Sequence, residues 1–279
     1  MSNKKVWFVT GASKGLGSIL VQQLLDKGYK VAATSRNIAD LRKVATNNDF
    51  LPLAVDLTNE NSVGDAIDQT VKHFGSIDVV VNNAGYGQIG SLEELSDEEA
   101  RASFDVNVFG SLNVIRKAMP YLRAQESGHI FNISSIAGFN GNFPGFGIYC
   151  ATKFAVEGFS ESLAAEVKPF GVKVTIVSPG YFRTSFLSAG SLGVPANQIA
   201  AYKEVRDTQN AHQHSIDGNQ AGDPVKAVAA LITVADATEA PLHLFLGEDA
   251  YNMAYQKIAA IKEDLETWKE VTVATAVEA

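Results

Sequence analysis

Tyr149 and Lys153 stand four residues apart in a stretch of helical periodicity, so both fall on one helix face, close enough for an ammonium to act on a phenol. A nearby cation favours phenolate and draws a reference pKa of about 10 toward neutrality, as a proton donor or acceptor working at physiological pH requires. A second group is Gly11-Ala12-Ser13-Lys14-Gly15-Leu16-Gly17, directly after an apolar run. Glycines there let the backbone turn tightly against a pyrophosphate, and a helix opening at that point offers free N–H groups and a positive dipole end. Three residues separate the first two glycines, a departure from the G-x-G-x-x-G form. The next apolar run ends in Ser35-Arg36, where an NAD-binding fold usually carries a carboxylate for the ribose 2′-hydroxyl. A carboxylate would repel a 2′-phosphate. Arginine attracts it through planar donors, and Lys14 points to the same neighbourhood, so the cofactor expected is NADP(H).

The elements that must hold these groups follow from hydrophobic patterning. Val6–Val9 is apolar throughout, and residues 31–33, 51–55, 79–81, 130–133 and 172–177 are short apolar runs that stop in polar or glycine turns, with 242–246 as a last strand. Runs without polar alternation suit strands buried on both faces. Residues 17–27, 38–46, 62–74, 97–124 and 148–169 read as helices. Strict alternation implies right-handed crossovers and an α/β fold: a doubly wound parallel sheet of Rossmann type with helices on both faces. Ser96 and Glu99 have capping-box spacing, and the acidic run at 93–99 reads as a solvated, dipole-compensating helix start. Between residues 190 and 222 apolar periodicity fades, apart from an amphipathic stretch near 198–206. Such an insertion is expected to be a substrate lid, with an oligomer contact as the alternative. A polar helix is expected over 248–268, and residues 1–279 as a single domain.

Composition narrows the function. With 23 basic and 31 acidic residues the formal charge is −8, which disfavours nucleic acid and anionic lipid as partners. The lone Cys150 excludes an intrachain disulfide and a cysteine-rich zinc site. His212 and His214 read as solvated loop residues, and His73, His129 and His243 as isolated structural or surface ones, so no metal is expected. The N-terminus has no apolar signal core and no run reaches membrane-spanning length, so a cytoplasmic protein is expected.

Taken together, the motifs resemble the short-chain dehydrogenase/reductase family over nearly the whole chain to about Leu246. The glycine turn is similar to the family's cofactor turn, Asn82-Asn83-Ala84-Gly85 to its fourth-strand signature, and Asn107 to its helix asparagine. Ser135 stands before an x-Ala-Gly stretch, Tyr149 and Lys153 resemble its Y-x-x-x-K motif, and Ser178-Pro179-Gly180 with Thr184 resembles the segment along the nicotinamide. The resemblance implies that Tyr149 is the general acid for reduction and the base for oxidation, and that Lys153 holds the ribose hydroxyls and lowers the phenol pKa. It further implies that Ser135 hydrogen-bonds the substrate oxygen and that Asn107 holds a proton-relay water. The loop 139–143 is about one residue longer than the commonest family spacing, which leaves Ser134 as the alternative to Ser135. Cofactor contacts are implied for Gly11, Ser13, Lys14, Gly15, Leu16, Gly17, Ser35, Arg36, Asp56, Leu57, Asn82, Ala84, Gly85, Asn107, Tyr149, Lys153, Pro179, Gly180 and Thr184.

Ile136, Phe143, Phe146, Tyr181, Phe182, Phe186 and Leu187 would wall the substrate end. Apolar and aromatic, they suit a hydrophobic ketone, aldehyde or secondary alcohol. The expectation is an NADPH-dependent carbonyl reductase working as a homodimer or homotetramer. The alternatives are an epimerase or dehydratase that uses the nicotinamide transiently, and an NADP-binding sensor without turnover.

Overall fold

The computed structural model describes residues 4–188 and 190–277. Its strands are β1 (Val6–Val9), β2 (Lys30–Ser35), β3 (Phe50–Ala54), β4 (Val79–Asn82), β5 (Gly87–Gln88), β6 (Gly128–Ile133), β7 (Val172–Pro179), β8 (Leu192–Gly193) and β9 (His243–Leu246). Seven form one sheet in the order β3-β2-β1-β4-β6-β7-β9, all pairs parallel. The helices are α1 (Gly15–Asp26), α2 (Ile38–Arg42), α3 (Glu60–Phe74), α4 (Asp97–Phe104), α5 (Gly110–Gln125), α6 (Gly147–Val167), α7 (Lys203–Asn210), α8 (Pro224–Asp236), α9 (Glu248–Thr267) and α10 (Lys269–Val273).

The unbroken apolar runs have a simple cause. Trp7, Val9, Val31, Ala33 and Val81 face α1 and α8 on one side of the sheet, whereas Phe8, Ala32, Val80 and Ile130 face α3, α5 and α6 on the other. The inner strands β1 and β4 are therefore buried at every position, whereas the edge strands β3 and β9 are partly open, with Ala54 and His243 exposed. The chain order reverses beside β1, which has β2 on one flank and β4 on the other, and this opens a crevice at the carboxyl ends of the strands. Thr10, Asp56, Ser134 and Ser135, and Gly180 all follow strand ends at that rim.

Three differences from the sequence reading bear on function. The helix expected over 97–124 is broken in phase by a π-helical turn, Asp105–Phe109, which carries Asn107. The helix expected over 38–46 stops at Arg42, before Asn47 turns back to accept from the Asp49 amide. A separate two-residue parallel ladder, β5 with β8, ties the start of the insertion to the segment after β4.

The expected capping box is present at Ser96 and Glu99, but the acidic run is not simply solvated. Glu94 is buried and receives the Ile199 amide at 2.8 Å and Arg206 at 2.8 Å, Glu99 receives the Ala196 amide at 3.0 Å, and Glu93 the Tyr202 hydroxyl. Three carboxylates thus anchor residues 196–206. At the other end of the chain α9 leaves the body after Ala254, and residues 258–277 are exposed. Among the described residues no helix is long and apolar enough to cross a membrane.

Candidate active site

The rim at the strand ends encloses a cleft of about 560 Å³. Its floor is the glycine turn. Gly11 and Gly15 adopt φ of 64° and 60°, and a side chain on Gly11 would place its Cβ 2.7 Å from the Cα of Ala84. Thr10 holds the two segments together by accepting from the Asn83 and Ala84 amides at 3.0 and 3.1 Å, while the Asn83 side chain donates to the carbonyls of Thr10 and Gly11. No side chain caps the start of α1. Its first amides and its dipole face the cleft, a cradle that fits a pyrophosphate. Gly11, Ser13, Lys14, Gly15, Leu16, Ser35, Arg36, Asp56, Leu57, Ala84 and Gly85 line the cleft, as do Pro179 and Gly180 and also Thr184, which faces Gly15.

Two expected cofactor contacts lie behind the wall instead. Gly17 packs against the Asn83 side chain and the Gly11 carbonyl, with no room for a Cβ, so its glycine serves helix-to-sheet packing. Asn82 is buried and donates to the Asn132 side chain at 2.8 Å. Lys14 lines the cleft. Its ammonium reaches across the cleft mouth to the Ser191 hydroxyl and the Gly190 carbonyl rather than toward Arg36. Arg36 makes no ion pair among the described residues.

α6 carries Tyr149, Lys153 and Glu157 on one buried face. Lys153 donates to the Ile133 carbonyl at 2.9 Å and lies 5.8 Å from the centre of the Tyr149 ring. Burial lowers the ammonium to a pKa of about 8, against the pull of Glu157. Burial also pushes the Tyr149 phenol up, with the Ser135 hydroxyl drawing it partly back and Cys150 and Tyr181 adding to the rise. The lowered phenol expected from Lys153 is therefore not what the protein alone presents. The phenol is neutral, the form in which it donates a proton. Of the two serines, Ser134 donates to the Lys153 carbonyl at 3.4 Å and is buried under α6, whereas Ser135 caps a 3-10 turn, Ile136–Gly138, and meets Tyr149.

Asn107 faces away from the cleft. Its amide accepts from the Tyr86 N–H at 3.0 Å and donates to the Tyr86 carbonyl and the Thr152 hydroxyl. Both ends of the side chain are engaged, so it positions the Gly85-Tyr86 backbone beside Lys153. The seven residues expected to wall the substrate all line the cleft, with the Phe146 and Phe186 rings centred 6.1 and 5.9 Å from that of Tyr149.

Residues 5–191 match the short chain dehydrogenase family profile. The chain belongs to the short-chain dehydrogenase/reductase family. It is 44% identical over 204 residues to the 3-ketodihydrosphingosine reductase of Bacteroides thetaiotaomicron, covering 72% of each chain. It also resembles a solved short-chain dehydrogenase from Streptomyces avermitilis, with TM-score 0.89 and 36% identity over 98% of this chain and all of that one. The structure of ElxO with NADP bound matches at TM-score 0.72 and 26% identity, over 87% of this chain and 97% of that one. The protein is an oxidoreductase of this family.

Against the family's motifs, two further cleft residues stand out that sequence reasoning missed. His212, expected in solvent, is buried in a second π-helical turn, Ala211–Ile216, and lines the cleft. Its Nδ1 lies 2.7 Å from the Thr208 carbonyl and its Nε2 2.9 Å from the Tyr181 hydroxyl. A signal for it was present, since Val205, Thr208 and His212 recur at helical spacing around a buried valine. Gln220 is 3% exposed and also lines the cleft. It lies in an irregular stretch where no periodicity marks a face.

Proposed function

We propose that this oxidoreductase is an NADPH-dependent reductase that converts a ketone or aldehyde of a hydrophobic substrate to an alcohol, reversibly, with Tyr149 as proton donor. One observation carries the reading: Tyr149, Ser135 and Lys153 line one aromatic-walled cleft, with the phenol buried and the Lys153 ammonium 5.8 Å from the centre of its ring. NADP(H), when bound, supplies the hydride. The uncapped α1 turn would hold its pyrophosphate, Ser35 and Arg36 its 2′-phosphate, and Asp56 its adenosine end. The NADP-bound ElxO and the reductase relative point the same way.

In this reading the Tyr149 and Ser135 hydroxyls both donate to the carbonyl oxygen, where negative charge grows as the carbonyl is reduced. Tyr149 then releases its proton to that oxygen, and the Lys153 cation stabilises the phenolate left behind. Alcohol oxidation reverses each transfer. Residues 190–222 serve as a substrate lid, as their cleft-lining residues Gly190, Ser191, His212 and Gln220 suggest.

The test is NADPH and NADH absorbance with a panel of ketones and aldehydes, run beside Tyr149→Phe. That variant keeps the ring and removes the hydroxyl, so kcat should fall by about 10²–10⁴ while NADPH binding survives. Near-normal turnover in the variant, or no carbonyl reduced by the wild type, overturns the reading.

A further inference from the structure

We propose that Gln220 and Tyr181 form a hydroxyl-binding subsite at the substrate end of the cleft, so that the preferred substrate is a ketone carrying a neutral hydroxyl beside an apolar body. This rests on the reductase reading and names the substrate class within it.

The amide of Gln220 is the first observation. Both Nε2 and Oε1 are buried without a hydrogen-bond partner, and among the described residues no other side chain leaves two such atoms. Burying an unpaired amide is costly, and natural interiors rarely tolerate it outside sites of function. Its main-chain carbonyl accepts from Arg183 Nε at 3.2 Å, which fixes the backbone that carries the amide. A polar group held dry in a cleft wall is built for a ligand.

The chemistry of that ligand follows from the neighbours. The Thr208 carbonyl can only accept, so His212 Nδ1 carries the proton. Burial lowers the imidazole pKa against the Thr208 bond, leaving Nε2 as a bare acceptor for the Tyr181 hydroxyl proton. Tyr181 therefore keeps oxygen lone pairs for a donor, while Gln220 offers one acceptor and two donors. A hydroxyl, donor and acceptor at once, satisfies this set.

Ionic groups do not. Asp56, the lining carboxylate, sits at the adenosine end, so an ammonium would go unpaired. Asp249 receives the Tyr181 N–H at 2.7 Å. The Lys14 ammonium is taken up by the Ser191 hydroxyl and the Gly190 carbonyl, and exposed Arg183 donates to the Gln220 main-chain carbonyl. The subsite adjoins the reaction centre: the Phe146 ring lies 4.8 Å from His212 and 6.1 Å from Tyr149, and the Tyr181 phenol is close enough to raise that of Tyr149.

Matched probes test this without turnover. Calorimetric titration of 1,2-octanediol and 2-octanol into the protein, with and without NADP⁺, should show the diol binding on the order of tenfold more tightly, the factor of one net hydrogen bond. Gln220→Met, similar in volume, should bring that ratio to near one, and Tyr181→Phe, which keeps the ring, should reduce it independently. Equal wild-type affinities, or a preference that survives both substitutions, overturn the subsite. So does a Gln220→Met protein that loses affinity for NADP⁺ and for both alcohols alike, because the amide would then serve the cofactor. A kinetic arm with 1-hydroxy-2-octanone and 2-octanone separates the two readings. A diol preference with neither ketone reduced by NADPH sinks the reductase reading and leaves the subsite standing.

Discussion

Burial moves Lys153 and Tyr149 in opposite directions, the ammonium toward losing its proton and the phenol toward keeping it. With Lys153 lowered to about 8, kcat/KM for carbonyl reduction should stay level near pH 7 and fall above about 8 as the cation is lost, which a pH-rate profile reads. The stability sign is the reverse. Between about 8 and the ordinary lysine value of 10.5 the unfolded chain holds more protons than the folded one, so the protein gains stability as pH rises through that window. At the far end of the cleft, Arg36→Asp exchanges attraction for repulsion at a 2′-phosphate. NADPH efficiency should drop between several-fold and ~100-fold, the range of one charged hydrogen-bonded contact, while NADH efficiency does not. At this scale types and spacing were legible: Tyr149, Lys153, Ser135 and the glycine turn all reach one cleft. Asn107, Asn82 and Gly17 fall outside the cleft lining and the Lys14 ammonium reaches Ser191, since a motif fixes where a residue stands in the chain and not which way its side chain turns.

Two devices at the level of elements can be tested by stability. The β1-to-α1 turn needs a left-handed Gly11 pressed against Ala84, so Gly11→Ala meets both backbone strain and a clash with main chain. A loss of about 2–4 kcal/mol is expected, which calorimetry should record as a melting temperature lower by roughly 5–15 °C. The second device is the carboxylate anchor of the insertion. Burial alone would push the Glu94 carboxyl up, but the amides of Ile199 and Ser91, the Ser91 hydroxyl and Arg206 together hold it below the ordinary value. Its contribution is therefore present at neutral pH and lost as the pH falls below the usual carboxylate range of about 4.3 and through the depressed value. Glu94→Gln should speed hydrogen exchange in residues 196–206 by about tenfold or more at pH 7, and unchanged protection would refute the anchor. Neither the anchor nor the π-helical turn was legible, because both depend on partners about a hundred residues away or on helical phase, which local periodicity does not encode.

For the whole molecule, the sheet was the most legible feature. The inner strands are buried on both faces, so their apolar runs announced themselves, and strict alternation with helices implied right-handed crossovers and a doubly wound sheet. Assembly was less legible. Tyr251, Tyr255, Ile258, Ile261 and Leu265 are exposed along α9, and Trp268 just beyond it. The homodimer or homotetramer expected from the family resemblance should appear in light scattering as a multiple of the 29.8 kDa chain mass, and a strictly monomeric mass removes it.

The roof of the cleft has a further consequence, in the order of assembly. Glu94 binds the Ile199 amide across 105 residues of chain, and β5 meets β8 over a similar separation. Closing so long a loop is entropically expensive until the sheet has already brought both ends near. The parallel sheet and its glycine turn can thus form before the substrate end exists. An immature chain would be able to hold a dinucleotide while still unable to enclose a substrate, and the same hierarchy would let the roof open before the sheet when the native protein breathes.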